Sequence, residues 1–128
     1  MKSNLTPNME DYLKTVHTLE LQKGSVRIKD IASRMGISMP SASSAMKNLI
    51  NQGFVCHPRY DLVKLTTEGL FLAEELERRF VIIKTFLSDI LNVDSEIAEK
   101  DTCQIEHRIS PETVKQMENF LKTEHKND

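Results

Sequence analysis

The sequence predicts a mainly α-helical fold, with one short strand hairpin between an N-terminal set of helices and a second, wholly helical segment. Three observations predict it. Apolar residues recur at helical spacing through most of the chain. Only Phe54-Val55-Cys56-His57 and Leu62-Val63-Lys64-Leu65 read as strands. Pro and Gly fall at the edges of the periodic stretches rather than inside them.

The elements follow in order. Thr6-Pro7 is a helix start, and Met9, Tyr12, Leu13, Val16 and Leu19 give that helix one apolar face until Lys23-Gly24-Ser25 ends it. Ile28, Ile31, Ala32 and Met35 mark a short second helix, followed by the tight turn Gly36-Ile37-Ser38. Pro40 sits in the first turn of a third helix, whose inner face is Ala42, Ala45, Met46, Leu49 and Ile50, and Gly53 closes it. The two strand runs come next, joined by Pro58-Arg59-Tyr60-Asp61. Thr66 or Thr67 caps a long amphipathic helix carrying Leu70, Ala73, Leu76, Phe80, Ile83, Phe86, Leu87 and Ile90. Asn92-Val93-Asp94-Ser95 breaks it. A helix with Ile97, Ala98, Thr102 and Ile105 follows. Ser110-Pro111-Glu112 then starts the last helix, with Val114, Met117, Phe120 and Leu121, before a polar tail from Thr123. Helix, helix, turn, helix, hairpin is the order of a winged helix-turn-helix, which places one domain over residues 1–72 and an all-helical domain over residues 73–128.

Composition is that of an ordinary globular chain, 39% apolar and 28% charged. No apolar run approaches membrane-spanning length, and the N-terminus has no signal-peptide core, so the expected location is the cytoplasm, with no membrane partner. Two cysteines are too few for a disulfide scaffold. The net charge of −2 hides an asymmetry: residues 1–72 hold nine Lys and Arg against six Asp and Glu, whereas residues 73–128 hold eight against thirteen. The front half could approach a phosphate backbone that would repel the back half.

The third helix is placed to read DNA. With Ala42, Ala45, Met46 and Leu49 inward, Ser38, Ser41, Ser43, Ser44 and Lys47 are left for the outer faces. Serine hydroxyls reach phosphates or bases, and Pro40 can touch a thymine methyl. Without Arg, Asn or Gln at the front of this helix, direct base discrimination is expected to be modest and helped by DNA shape. Arg27, Lys29, Lys47, Arg59 and Lys64 are the phosphate-contact candidates. A merely solvated serine-rich face is the plain alternative for the helix taken alone; the surrounding element order favours double-stranded DNA as partner.

Cys103-Gln104-Ile105-Glu106-His107 carries the other chemistry. On a helix, positions i, i+3 and i+4 share a face, so a thiolate, a carboxylate and an imidazole converge as an incomplete site for a divalent transition metal. A packed thiol beside an exposed Glu-His pair is equally compatible with the run alone. Cys56-His57, adjacent on a strand, reads as a core thiol and a surface imidazole.

Met9-Glu10-Asp11-Tyr12-Leu13, the stretch from Asp30 to Ser38, Leu65-Thr66-Thr67-Glu68-Gly69 and the Cys-x-x-Glu-His run occur here in order. Together they resemble the diphtheria-toxin-repressor family of metal-dependent regulators, which includes MntR-like manganese sensors, over about residues 4–121. The resemblance implies a homodimer formed through C-terminal helices. It implies a metal held between the first helix and the dimerisation helices, and repression of uptake genes by the metal-bound form. Carried over by position, Asp11, Cys103, Glu106 and His107 are the ligands. Where members have further ligands, this chain has Phe80, Lys84, Glu99 and Lys14. That implies one metal per subunit, with Lys14 or Lys84 either standing in for a second cation or simply facing solvent. The thiolate favours Fe(II); the carboxylates and imidazole admit Mn(II); Co, Ni or Zn would substitute in vitro. An enzyme is not expected, since nothing suggests a substrate pocket. The competing reading is a winged-helix regulator whose metal site has degenerated, responding to a small molecule or to Cys103 oxidation.

Overall fold

A computed structural model describes residues 5–59 and 61–127, with side chains to Thr123; Tyr60, in the expected hairpin turn, lies outside the described residues. The chain forms two compact units, one of Leu5–Glu74 and the other from Glu75 onward. Helix α1 (Pro7–Lys23) begins where Thr6 accepts a hydrogen bond from Met9 N at 3.2 Å, and ends at Gly24. A two-residue strand β1 (Val26–Arg27), absent from the sequence expectation, leads into α2 (Ile28–Met35). Gly36 takes the left-handed conformation, φ 66°, and Ile37 N donates back to Ala32 O at 3.0 Å, closing α2. Ser38 caps α3 (Met39–Asn51), accepting from Ser41 N.

The hairpin is β2 (Val55–Arg59) and β3 (Leu62–Leu65), in an antiparallel sheet of order β1-β3-β2. Pro58, expected in the turn, lies within β2, beside an irregularity between Cys56 and Arg59. An outer strand of a sheet tolerates the missing N–H that a central strand does not. Leu13, Val16, Leu19, Val26, Ile31, Ala42, Met46, Leu49, Val55 and Val63 are buried in this unit. Glu20 ties α1 to the sheet, its Oε2 accepting from Leu65 N at 2.9 Å.

Helix α4 (Thr67–Thr85) starts at a close approach. Thr66 N donates to Phe54 O at 3.1 Å, Thr66 Oγ1 donates to Gly53 O at 2.6 Å, and Thr66 Oγ1 accepts from Gly69 N at 3.0 Å. Gly69 thus lies against the backbone of Phe54, with no room for a Cβ.

In the second unit α4 runs into a π-helical turn at Phe86–Ile90, where the sequence predicted a continuous α-helix; Leu91 N donates to Phe86 O and Ser88 Oγ donates back to Lys84 O. Asn92, at φ 59°, breaks the chain, and Asp94 caps α5 (Ser95–Ile105). Ser110 accepts from Thr113 N at the start of α6 (Pro111–Asn127). Ile82, Ile83, Val114 and Leu121 form the core here, with Phe86, Leu87, Ile90, Ile105, Ile109 and Met117 packed on it. Leu70 and Ile97, read from spacing as core, are exposed. No described helix is long and apolar enough to cross a membrane.

Candidate functional site

Helices α2 and α3 with the β2–β3 hairpin form the winged helix-turn-helix. The first turn of α3 presents its polar atoms outward because its apolar residues recur at positions 42, 45, 46 and 49 and are buried. Ser38, Pro40, Ser41, Ser44 and Lys47 are exposed, while Ser43 is half-buried. Ser38 Oγ also donates to Ser41 Oγ at 2.9 Å, which holds the two hydroxyls together at the helix start. A shallow cleft beside this turn is lined by Asn8, Met9, Tyr12, Pro40, Ser41, Ser44, Ala45 and Asn48. Hydroxyls and amides there are the right chemistry for phosphate oxygens and base edges.

The cations flanking this helix are not all free to do the same. Lys29, Lys47, Lys64 and Arg59 are exposed. Arg27 is held instead by Asp61, through Nη1 contacts of 2.7 and 2.8 Å to the two carboxylate oxygens. Lys23 Nζ lies 2.8 Å from Asp30 Oδ1, and Asp30 Oδ2 accepts from Arg27 N at 3.0 Å, so Asp30 satisfies an otherwise unpaired N–H at the start of α2. The Lys23 hydrogen bond, aided by Arg27 N and the nearby lysines and opposed by burial, holds the Asp30 carboxyl below its ordinary 3.8. Asp30 therefore stabilises the fold above the unfolded-state value, and this contribution is lost as pH falls through the folded value. Asp30→Ala is expected to cost about 1 kcal/mol in urea unfolding at neutral pH. The gap to wild type should narrow in acid below 3.8.

The metal-ligand candidates in the second unit lie at the end of α5. The α-helix stops at Ile105. Glu106 keeps helical angles, φ −60° and ψ −31°, and the chain then turns through His107 and Arg108. Glu106 is 1% exposed, and His107 Nε2 lies 3.3 Å from Glu106 Oε1. Arg79, itself buried on α4, donates from Nη2 to the backbone carbonyl of Glu106. A guanidinium at that carbonyl complements the negative end of α5 and fixes the segment carrying both side chains. Cys103, one turn earlier, is exposed, so burial separates it from Glu106 despite the shared helical spacing. Lys84 Nζ lies 3.6 Å from Glu99 Oε1, an ion pair between two of the departures from the family pattern. In the first unit Asp11 is exposed on α1, next to the buried Glu10.

Two roles escaped the sequence. Arg79 had no signal, being one of several charges on an amphipathic helix. Asp61 could have been paired with Arg27 only by knowing the register of a two-residue strand. Cys56, expected in the core, is exposed, as is His57, whose Nδ1 lies 2.6 Å from Leu62 O; past Val55 strand β2 is exposed, so neither alternate residue meets a core.

Comparison with known proteins accounts for both units. Residues 4–63 match the family domain described as the iron dependent repressor N-terminal DNA binding domain, and residues 66–127 match the iron dependent repressor metal binding and dimerisation domain. The chain belongs to the diphtheria-toxin-repressor (DtxR/MntR) family. A transcriptional regulator MntR of Salmonella typhimurium is 36% identical over 106 residues, which span 83% of this chain and 67% of that protein. An HTH-type transcriptional regulator MntR of Listeria welshimeri is 29% identical over 116 residues, 91% of this chain and 81% of the relative. Among solved structures, the metal-dependent transcriptional regulator MtsR aligns with TM-score 0.84 at 27% identity, and the manganese regulator SloR with TM-score 0.78 at 31% identity. Each alignment covers 92% of this chain but 55% of the solved chain, so this chain spans little more than half the length of those structures. DtxR/MntR membership makes the protein a metal-dependent transcriptional regulator by type, with a DNA-binding domain and a metal-binding and dimerisation domain.

Proposed function

We propose that this protein is a cytoplasmic, homodimeric repressor of iron or manganese uptake genes that binds operator DNA when one divalent metal occupies each subunit. The observation that carries the metal half of this reading is the Glu106–His107 pair. A carboxylate 1% exposed with an imidazole nitrogen 3.3 Å away is a donor set that borderline metal ions take, and Arg79 holds its backbone. The residues present therefore fit a divalent transition ion. Glu106 and His107 would hold it, with Cys103 supplying a thiolate if α5 reorients. Asp11 would complete the set, supported by its place in the Met9-Glu10-Asp11-Tyr12-Leu13 motif. A bound ion would supply a fixed positive charge that these donors neutralise.

Cys103 favours Fe(II) on ligand softness, and the manganese regulators among the relatives favour Mn(II) as the second reading. The Lys84–Glu99 ion pair supports a single ion per subunit, because an ammonium already neutralises a carboxylate at that place. The DNA half rests on the exposed serines of α3, and the dimer on the exposed Val81, Leu91, Ile97 and Phe120 of the second unit. Selection from a random duplex library under anaerobic conditions tests the whole reading. A two-fold symmetric sequence should be enriched with Fe(II) or Mn(II) present and not with chelator. Equal enrichment with chelator would favour the degenerate-site regulator instead.

A further inference from the structure

The wing root holds a feature that DNA binding alone does not require. Arg27 and Arg59 are both register partners of Leu62, one on each side of β3, so two guanidinium-bearing positions flank the same point of the sheet. With adjacent strands roughly 4.8 Å apart, their backbones are separated by about 10 Å. Asp61, next to Leu62, is bound to one of them. Its two oxygens lie 2.7 and 2.8 Å from Arg27 Nη1, and its backbone carbonyl accepts from Ile28 N at 3.1 Å. The pair is reached by solvent on both sides, 47% and 40% exposed, so it is not a device for filling the core. Exposed ion pairs add little to stability, about 0–1 kcal/mol. Both Asp61 oxygens meet one guanidinium nitrogen, so the carboxylate sits where a phosphate oxygen would otherwise be bound by Arg27.

We propose that Asp61 is an internal phosphate mimic that occupies Arg27 and withholds one cation from the DNA backbone. The inference rests on the DNA-binding reading above. It names the residue that sets how strongly the wing root holds any duplex, independent of sequence. Asp61 lowers sequence-independent affinity, so that occupancy depends on α3 and on the metal rather than on charge. The carboxyl of Asp61 is held below its usual range, first by the Arg27 hydrogen bond, with Arg27 and Lys29 adding through-space attraction, so the carboxylate stays charged wherever DNA binds. Lys29 is exposed in the first turn of α2, so freeing Arg27 would leave two unmasked cations at the start of that helix.

The test is the salt dependence of binding to a short mixed-sequence duplex, using metal-loaded protein. Each phosphate neutralised contributes about −0.9 to the slope of log K against log salt. Asp61→Asn should steepen the slope by roughly 0.9 and tighten binding at low salt, and Asp61→Ser should do the same. Arg27→Ala alone, which leaves the Asp61 carboxylate without its Arg27 partner, should not steepen the wild-type slope. The double variant Arg27→Ala with Asp61→Asn should return to it. A purely structural pair predicts no steepening in Asp61→Asn, or a shallower slope as the wing loosens, and either result overturns the proposal. A steepening that persists in the double variant overturns it too, since the gain would then be lost repulsion rather than a released Arg27. If the wild type retains no duplex at any salt or metal concentration, the DNA-binding reading fails and this inference falls with it.

Discussion

Glu106→Gln is expected to uncouple the protein from metal without unfolding it. The amide keeps the shape of a side chain that is 1% exposed but removes the charge a cation needs. Changes to groups that merely support a ligand cost 10- to 100-fold in metal affinity, so loss of the ligand itself should cost at least about 100-fold. Metal at about 100 times its dissociation constant stabilises a folded protein by about 2.7 kcal/mol. Wild type should therefore melt several degrees higher with metal than with chelator, and Glu106→Gln should lose most of that shift. Thermal unfolding with Mn(II), Fe(II) and chelator checks this. A variant that keeps the full metal-induced shift would remove Glu106 from the ligand set.

Gly69→Ala carries the other large effect, with two opposed terms. Alanine is favoured over glycine inside a helix by about 1 kcal/mol, which would stabilise α4. The new Cβ, however, would fall inside contact distance of the Phe54 carbonyl oxygen and carbon, and meet Leu65 Cδ2 at 3.3 Å. The first two are backbone atoms, and the same carbonyl is held by Thr66 N, so they cannot turn aside as a flexible side chain would. Overpacking of this kind costs about 1–3 kcal/mol and more when the backbone must shift. The clash wins, and a net loss of about 2 kcal/mol or more is expected, near 10 °C in melting temperature for a unit of this size. Calorimetry or urea unfolding measures it. An unchanged or higher melting temperature would mean that α4 does not pack against Phe54 as described.

Much of the first unit was legible because its signals are local. Thr6-Pro7, Gly24, Gly36 and Ser38 act on the turn they sit in, and the structure places helix ends at each. The strand-like run Leu62–Leu65 is strand β3. What was not legible depends on partners distant in sequence. Strand β1 is two residues long and exists because β3 lies beside it. Leu70 and Ile97 sit at core spacing, yet spacing says which residues share a face and not what covers that face. The continuous helix expected to Ile90 gives way to a π turn after Thr85. At the candidate site, the Glu106–His107 proximity follows from sequence adjacency at a helix end. The exposure of Cys103 does not, because spacing places it on a helix face without saying what covers that face. Arg79 and Asp61 belong to the same class: each acts on a residue 27 or 34 positions away.

In the proposed function, metal occupancy sets DNA affinity. Coupling between two sites in one protein is typically 1–3 kcal/mol, about 5- to 150-fold in affinity. The direct measurement is the dissociation constant for the selected duplex at fixed salt under anaerobic conditions, once with one equivalent of Fe(II) or Mn(II) per subunit and once with chelator. Binding should be tighter with metal by a factor in that range, with no such difference in Glu106→Gln. Equal affinity of the wild type in the two conditions would contradict it.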